Sequence, residues 1–175
     1  MFYKIPDRVY SPLANKDIVK GTVLVVNDQE HVLKTQIKNE GCTVYSCTLD
    51  DLVEDQYWAH LPKIDWLICV TQGLGKKSEL VVDAGMTMTS KGFCLLDRIS
   101  FLEPTRTRES LLLSHSLRNL IILSPRPAFR ADNKQAKDDS VTSAWFVFTA
   151  DQTDEITTKI DFALNWQRPQ SVCSG

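Results

Sequence analysis

The chain has 175 residues, 24% of them charged, with a formal net charge of -2 and a pI near 5.9. That length supports one domain with a sizeable core rather than two. The charge argues against a polyanion binder working by bulk attraction, while leaving room for a local basic patch. The N-terminal MFYKIPDRVYSPL has no continuous apolar h-region and no segment approaches the length of a membrane span. The expectation is a cytoplasmic protein without a membrane partner, organised as a single domain over 1–166 with a flexible tail over 167–175.

In chain order, TVLVVN at 22–27 is a short apolar run suited to a strand covered on both faces. Residues 31–40 carry Val32, Leu33, Gln36 and Ile37 on one side of a helix, and Gly41 ends it where a C-terminal glycine belongs. Residues 43–49 read as the next strand. After DDLVEDQYWAHLPK comes a third strand at 65–70 and a helix over 77–90. GFCLLDRISFL at 92–102 reads as strand then turn, and Pro104 opens a helix over 107–117, where its missing N–H costs little. NLIILSP is a strand, RPAFRADNKQAKDDS a polar loop and SAWFVFTAD another strand. The last segment, 153–166, has helical spacing at Ile156, Ile160, Phe162, Ala163 and Trp166.

Strands alternating with helices of this length predict right-handed crossovers and a three-layer α/β sandwich with a mostly parallel sheet. NLIILSP and SAWFVFTAD have no helix between them, so they are expected to form an antiparallel pair at one end of that sheet.

In such a sheet, ligands sit beyond the carboxyl ends of the strands near the switch in strand order. The loop after the first strand is Asn27-Asp28-Gln29-Glu30-His31. It lacks the glycines that let backbone approach a nucleotide closely, and its carboxylates repel phosphate. The plainer reading is a helix N-terminus, which favours carboxylates. The loop after the third strand, Val70-Thr71-Gln72-Gly73-Leu74-Gly75-Lys76-Lys77-Ser78, fails as a phosphate cradle because Val70 stands where the first Walker glycine belongs. Its glycines are expected to serve a turn, with the lysines exposed and Thr71 and Gln72 at the ligand end.

Other candidates are weaker. Five cysteines, Cys42, Cys47, Cys69, Cys94 and Cys173, form no C-x-x-C pair and read as small core residues. His31, His60 and His115 have no partner at metal-ligand spacing, so no metal site is expected. There is no G-x-S-x-G elbow and no assignable Cys/His pair, so no catalytic residue is named. Glu103, Arg106 and Arg108 read as solvated charges at a helix start. Arg126, Arg130, Lys134 and Lys137 form the best local case for phosphate or nucleic-acid contact, diluted by Asp132, Asp138 and Asp139.

The phrases DWLIC, KGFCLLDRISFLEPTRTRESLL, NLIILSPRPAF and DDSVTSAWFVF, with a weaker YSPLANKDIV, follow one another in an order that resembles prokaryotic and phage adenine-specific DNA methyltransferases. The resemblance covers about half the chain and implies a Rossmann-like, S-adenosylmethionine-dependent fold. It places the cofactor at Asn27, Asp28 and Gln29, and a ribose-gripping acid at Thr48 or Asp50, of which only Asp50 has the chemistry. It places the substrate pocket at Val70, Thr71, Gln72 and Gly73, where members carry Asn/Asp-Pro-Pro-aromatic. That motif holds the adenine amine by hydrogen bonds and stacks on the flipped base. Val70 accepts no hydrogen bond and Gly73 cannot stack.

Two damaged motifs imply a methyltransferase-like domain that has lost its cofactor and its reaction. Such a domain would bind a protein partner or nucleic acid as an interaction or regulatory module. An active enzyme with an atypical loop, using S-adenosylmethionine, is the alternative. A second resemblance, of VLVVNDQEHVLKTQIKNEGCTVYSC to response-regulator receiver domains, implies a pseudo-receiver with five parallel strands.

Overall fold

The computed structural model describes residues 4–103, 105–129, 141–151 and 157–169. Seven strands form one sheet: β1 (Thr22–Val26), β2 (Thr43–Cys47), β3 (Ile64–Val70), β4 (Thr89–Arg98), β5 (Ser116–Ser124), β6 (Ser143–Thr149) and β7 (Lys159–Leu164). Their spatial order is β2-β1-β3-β4-β6-β5-β7. The helices are α1 (Ser11–Ala14), α2 (Val32–Asn39), α3 (Asp55–Ala59), α4 (Ser78–Met88) and α5 (Arg106–Ser114).

The strands form where the sequence offers residues able to fill both faces. Four of the five residues of β1 and six of the seven of β3 are buried, as expected for parallel strands between helical layers. On one face Val9, Tyr10 and Leu13 of the N-terminal segment, Leu33 and Ile37 of α2, and Trp145 pack together. On the other, Val81 and Val82 of α4 and Leu111 of α5 cover Phe93, Phe146 and Phe148. Phe93 stacks on Phe148 with ring centroids 5.0 Å apart. The three-layer α/β architecture matches the expectation. Cys47, Cys69 and Cys94 are buried on the strands, and burial pushes all three thiols up, Cys47 to about 12.

Strands β1 to β4 run parallel through crossovers that carry α2, α3 and α4. The chain first steps from β1 outward to β2, then returns to β3 on the other side, so the switch in strand order lies between β1 and β3. The opposite end of these strands is tied by Asp65, whose carboxylate accepts from the Thr22 N–H at 3.0 Å and the Ser90 hydroxyl at 2.9 Å. These bonds, with Lys91 nearby, hold it below the usual carboxylate range.

The antiparallel pairing of β5 with β6 is present, and β6 is also antiparallel to β4, so it wedges between two strands that run the other way. This arrangement is incompatible with the five parallel strands of a receiver. The chain end corrects the sequence reading: part of the segment expected as a helix over 153–166 is strand β7, parallel to β5. Ile160, Phe162 and Leu164 alternate with Asp161 and Ala163, so a short window fits both periods. The free edge of β5 decides between them. No helix among the described residues is long and apolar enough to cross a membrane.

Candidate functional site

The carboxyl ends of β1 and β2 open on a cleft of about 510 Å³, within the size range of small-ligand sites. Asn27, Asp28, Gln29 and Asp50, the four residues singled out for a cofactor, all line it. The loop turns without glycine. Asn27 (φ 59°) and His31 (φ 57°) both adopt the left-handed conformation, which asparagine tolerates better than most residues because its short side chain bonds locally. The Asn27 N–H extends the β1–β2 ladder by donating to the Cys47 carbonyl at 2.9 Å.

Asp28 behaves as a helix-end carboxylate. Its Oδ2 accepts from the Lys34 N–H, in the first turn of α2, at 2.8 Å. The side chain is buried, 5% exposed, and Oδ1 has no hydrogen-bond partner among the described residues. On the β2 side, Thr48 donates to Asp51 Oδ2 through its N–H at 2.6 Å and its hydroxyl at 2.8 Å. These two bonds, the backbone one foremost, hold the Asp51 carboxyl below the usual range. Asp51 is thereby occupied in holding the turn, and its neighbour Asp50 lines the cleft. With Asp28, Asp50 and Asp51 against Lys77 and His31, the lining suits hydroxyl or amine donors and disfavours phosphate.

The ends of β3 and β4 are built differently. Val70 is the last residue of β3, and Thr71 and Gln72 behind it are 1% and 2% exposed. Both backbone N–H groups donate to the Leu96 carbonyl, at 3.0 and 3.1 Å. The Thr71 hydroxyl donates to Asp97 Oδ2 at 2.7 Å, and the Ser143 hydroxyl donates to Gln72 Oε1 at 2.6 Å. Side chains from β4, β6 and the β3 loop thus satisfy one another across the sheet. Gly73 (φ 90°) and Gly75 (φ 58°) turn the chain, and Lys76 and Lys77 are exposed, as the sequence predicts. Arg126 is exposed just beyond β5, while Arg130 and Lys134 lie outside the described residues.

Asp97, Ser143 and Asp51 were not singled out by sequence reasoning, and Thr48, weighed there only for the ribose position, instead holds Asp51. Asp97 left one trace, a carboxylate ending the apolar run GFCLL. Ser143 left none, because its partner lies 71 residues away.

Burial pushes the Asp97 carboxyl above the ordinary aspartate value, against the opposing pull of the Thr71 and Arg98 hydrogen bonds and of the Arg108 and Arg98 charges. The raised value means that the folded state binds this proton more tightly than the unfolded chain does. Its stabilising contribution is complete below the unfolded pKa, about 3.9, and is lost as pH rises through the folded value. Asp97→Asn is therefore expected to melt at a temperature equal to or above wild type at pH 7, with the advantage shrinking as pH falls through the raised folded value and no longer changing below about 4. The amide would donate to Thr71, whose hydroxyl can turn to the Leu96 carbonyl at 3.4 Å. Melting curves of both proteins from acid to neutral pH check this; a difference that does not vary with pH would refute it.

No protein-family model matches the sequence, and no curated protein matches it. Among the solved structures that resemble this chain are the following three. An O-methyltransferase assigned by prediction, protein Atu636 of Agrobacterium tumefaciens, has a TM-score of 0.42 at 15% identity, covering 91% of this chain and 75% of its own. A protein from work on conversion of a disulfide bond into a thioacetal group during echinomycin biosynthesis has a TM-score of 0.44 at 14% identity, covering 85% and 86%. A methyltransferase candidate from Thermoplasma acidophilum has a TM-score of 0.31 at 16% identity, covering 86% and 67%. The class is defined by the sheet itself: the switch point between β1 and β3, with one antiparallel strand wedged between β4 and β5, makes this a Rossmann-like α/β fold of the methyltransferase type.

Proposed function

We propose that this chain is a methyltransferase-like domain that neither binds S-adenosylmethionine nor transfers a methyl group, and that acts as an interaction or regulatory module for a protein partner or nucleic acid. The observation that carries the reading is the closure of the β3–β4 end. Thr71 and Gln72 are buried and bonded to Asp97 and Ser143. Transfer to an adenine amine needs an outward-facing acceptor and a ring to stack on the base. Here the acceptors face inward, Val70 offers an alkyl group and Gly73 offers no side chain. At the cofactor end, side chains at Asn27 and His31 occupy left-handed positions where glycine would leave backbone open to a ligand. A fold alone does not confer an activity, and the groups that would confer this one are missing.

The test is transfer of labelled methyl from S-adenosylmethionine to adenine-containing duplex DNA by the full chain, read as N6-methyladenine. The expected result is incorporation no greater than without protein; turnover above that level would overturn the proposal.

One observation favours a second reading, an active enzyme with an atypical loop. Among the described residues, Asp28 Oδ1 is buried without a partner in the same cleft as Asp50. A buried carboxylate oxygen left unpaired is costly, and a ligand hydroxyl or ammonium would satisfy it. On that reading S-adenosylmethionine would sit against Asp28 and Asp50.

A further inference from the structure

Among the described residues, strand β7 ends the sheet, with β5 on one side and no strand on the other. An edge strand presents unpaired ladder groups, and monomeric proteins usually guard such an edge with charge, proline or a bulge. Here Ile160, Phe162 and Leu164 alternate along it at 59%, 65% and 68% exposure. They share the face of Leu120 and Ile122, their register neighbours on β5. The opposite face of β7 is finished: Ala163 packs against the core, and Asp161 is paired with Lys16 at 2.9 Å. One face of the strand is thus built into the domain, and the other is left apolar and open.

We infer that β7 is the interface of a two-fold homodimer, in which two copies pair antiparallel about Phe162 and join their sheets. A two-fold axis perpendicular to the sheet keeps each face on its own side. Since side chains alternate with period two, only registers centred on a residue then match face to face. Centring on Asp161 sets one carboxylate opposite its copy, which is destabilising. Centring on Ala163 places Ile160 opposite Trp166, which is already buried in its own domain. Centring on Phe162 sets Phe162 opposite itself, Ile160 opposite Leu164 of the second copy and Asp161 opposite Ala163. Lys159 then meets Asn165, so no charge faces its like. Of the three registers centred on Asp161, Phe162 and Ala163, only the one on Phe162 therefore makes the strand KIDFAL self-complementary, and it is the one that sets all three exposed apolar side chains against one another.

The three side chains offer on the order of 300 Å² of apolar surface per copy. Leu112 and Leu113, 41% and 76% exposed on the helix that packs on β5, add to the open apolar surface of this region. A stable pair typically buries about 800 Å² per partner, so the association is expected in the micromolar range.

Sedimentation velocity of the full chain under reducing conditions, over a concentration series spanning that range, is expected to show a monomer–dimer equilibrium. Phe162→Lys is expected to abolish the dimer and leave the melting temperature unchanged, because the side chain it replaces is exposed. Register is read by cross-linking in a Cys173→Ser background. Facing residues of an antiparallel pair lie about 4.5–5.5 Å apart, within disulfide reach. On oxidation Phe162→Cys should link to itself, while Ile160→Cys should link only when mixed with Leu164→Cys. These cross-links decide the matter even where the lysine variant folds poorly. A wild type monomeric throughout would overturn the inference and leave the edge to a strand from another protein. A dimer that survives Phe162→Lys, or an Ile160→Cys that links to itself as readily as Phe162→Cys, would overturn it too.

Discussion

Trp145→Ala is expected to destabilise the domain by about 3–5 kcal/mol, the usual cost of removing a buried tryptophan. Trp145 is completely buried in the middle of β6, between Leu96 of β4 and Ile121 of β5 in the ladder. Its indole N–H donates to the Val9 carbonyl at 2.8 Å, so the same side chain fills the core and ties the N-terminal segment to the sheet. Alanine would open a cavity and leave a buried carbonyl unpaired, and each effect is costly by itself. For a chain of this size the loss corresponds to a fall in melting temperature of roughly 10–15 °C. Trp145→Phe keeps most of the volume and loses the donor, so it should fall between the two. Urea unfolding of the three proteins measures the series; an alanine variant within 1 kcal/mol of wild type, about the size of an average substitution, would show that β6 does not anchor the domain as described.

The second large effect is at Gly92. It lies in β4 opposite Thr149 of β6, with φ at 157°. A methyl group there would run into the Phe148 carbonyl oxygen and the Thr149 Cα, both backbone atoms that cannot rotate away. The β4–β6 ladder would have to spread, in the strand pair that carries Phe93 and Phe148 at the centre of one core face. Gly92→Ala is expected to cost at least about 3 kcal/mol, in the range associated with strained backbone and overpacked cores. Gly41→Ala is the internal comparison. Gly41 also has a positive φ, 84°, but a methyl group there meets nothing within 4 Å, so only the backbone cost of about 1 kcal/mol applies. Equal unfolding midpoints for the two variants would refute the steric account.

Much of the frame was legible because apolar runs such as TVLVV and AWFVF announce strands whatever their neighbours do. The carboxylate at Asp28 was legible for a similar reason: capping is a short-range event, and Asp28 bonds a backbone group six residues away. What stayed hidden was set by distant partners. The place of β6 between β4 and β5 depends on registers that no local pattern encodes. The closure of the β3–β4 end depends on Thr71 meeting Asp97 and Gln72 meeting Ser143, contacts that form only once the sheet is assembled. The β7 segment was misread because six residues with mixed periodicity carry less information than the vacant edge of β5. The left-handed turns at Asn27 and His31 show a third kind of gap: the absence of glycine was read as denying a ligand close approach to the backbone, and nothing in the local pattern announced that two non-glycine residues take the left-handed conformation there.

The central claim is that the fold persists without its cofactor or its reaction. Titration calorimetry with S-adenosylmethionine, and separately with S-adenosylhomocysteine, into the full chain tests it most directly. The account predicts no saturable heat with millimolar ligand and, by linkage, no rise in melting temperature. Saturable binding that weakens in Asp28→Asn and Asp50→Asn would contradict it, and would show that the unpaired Asp28 oxygen belongs to a working cofactor site.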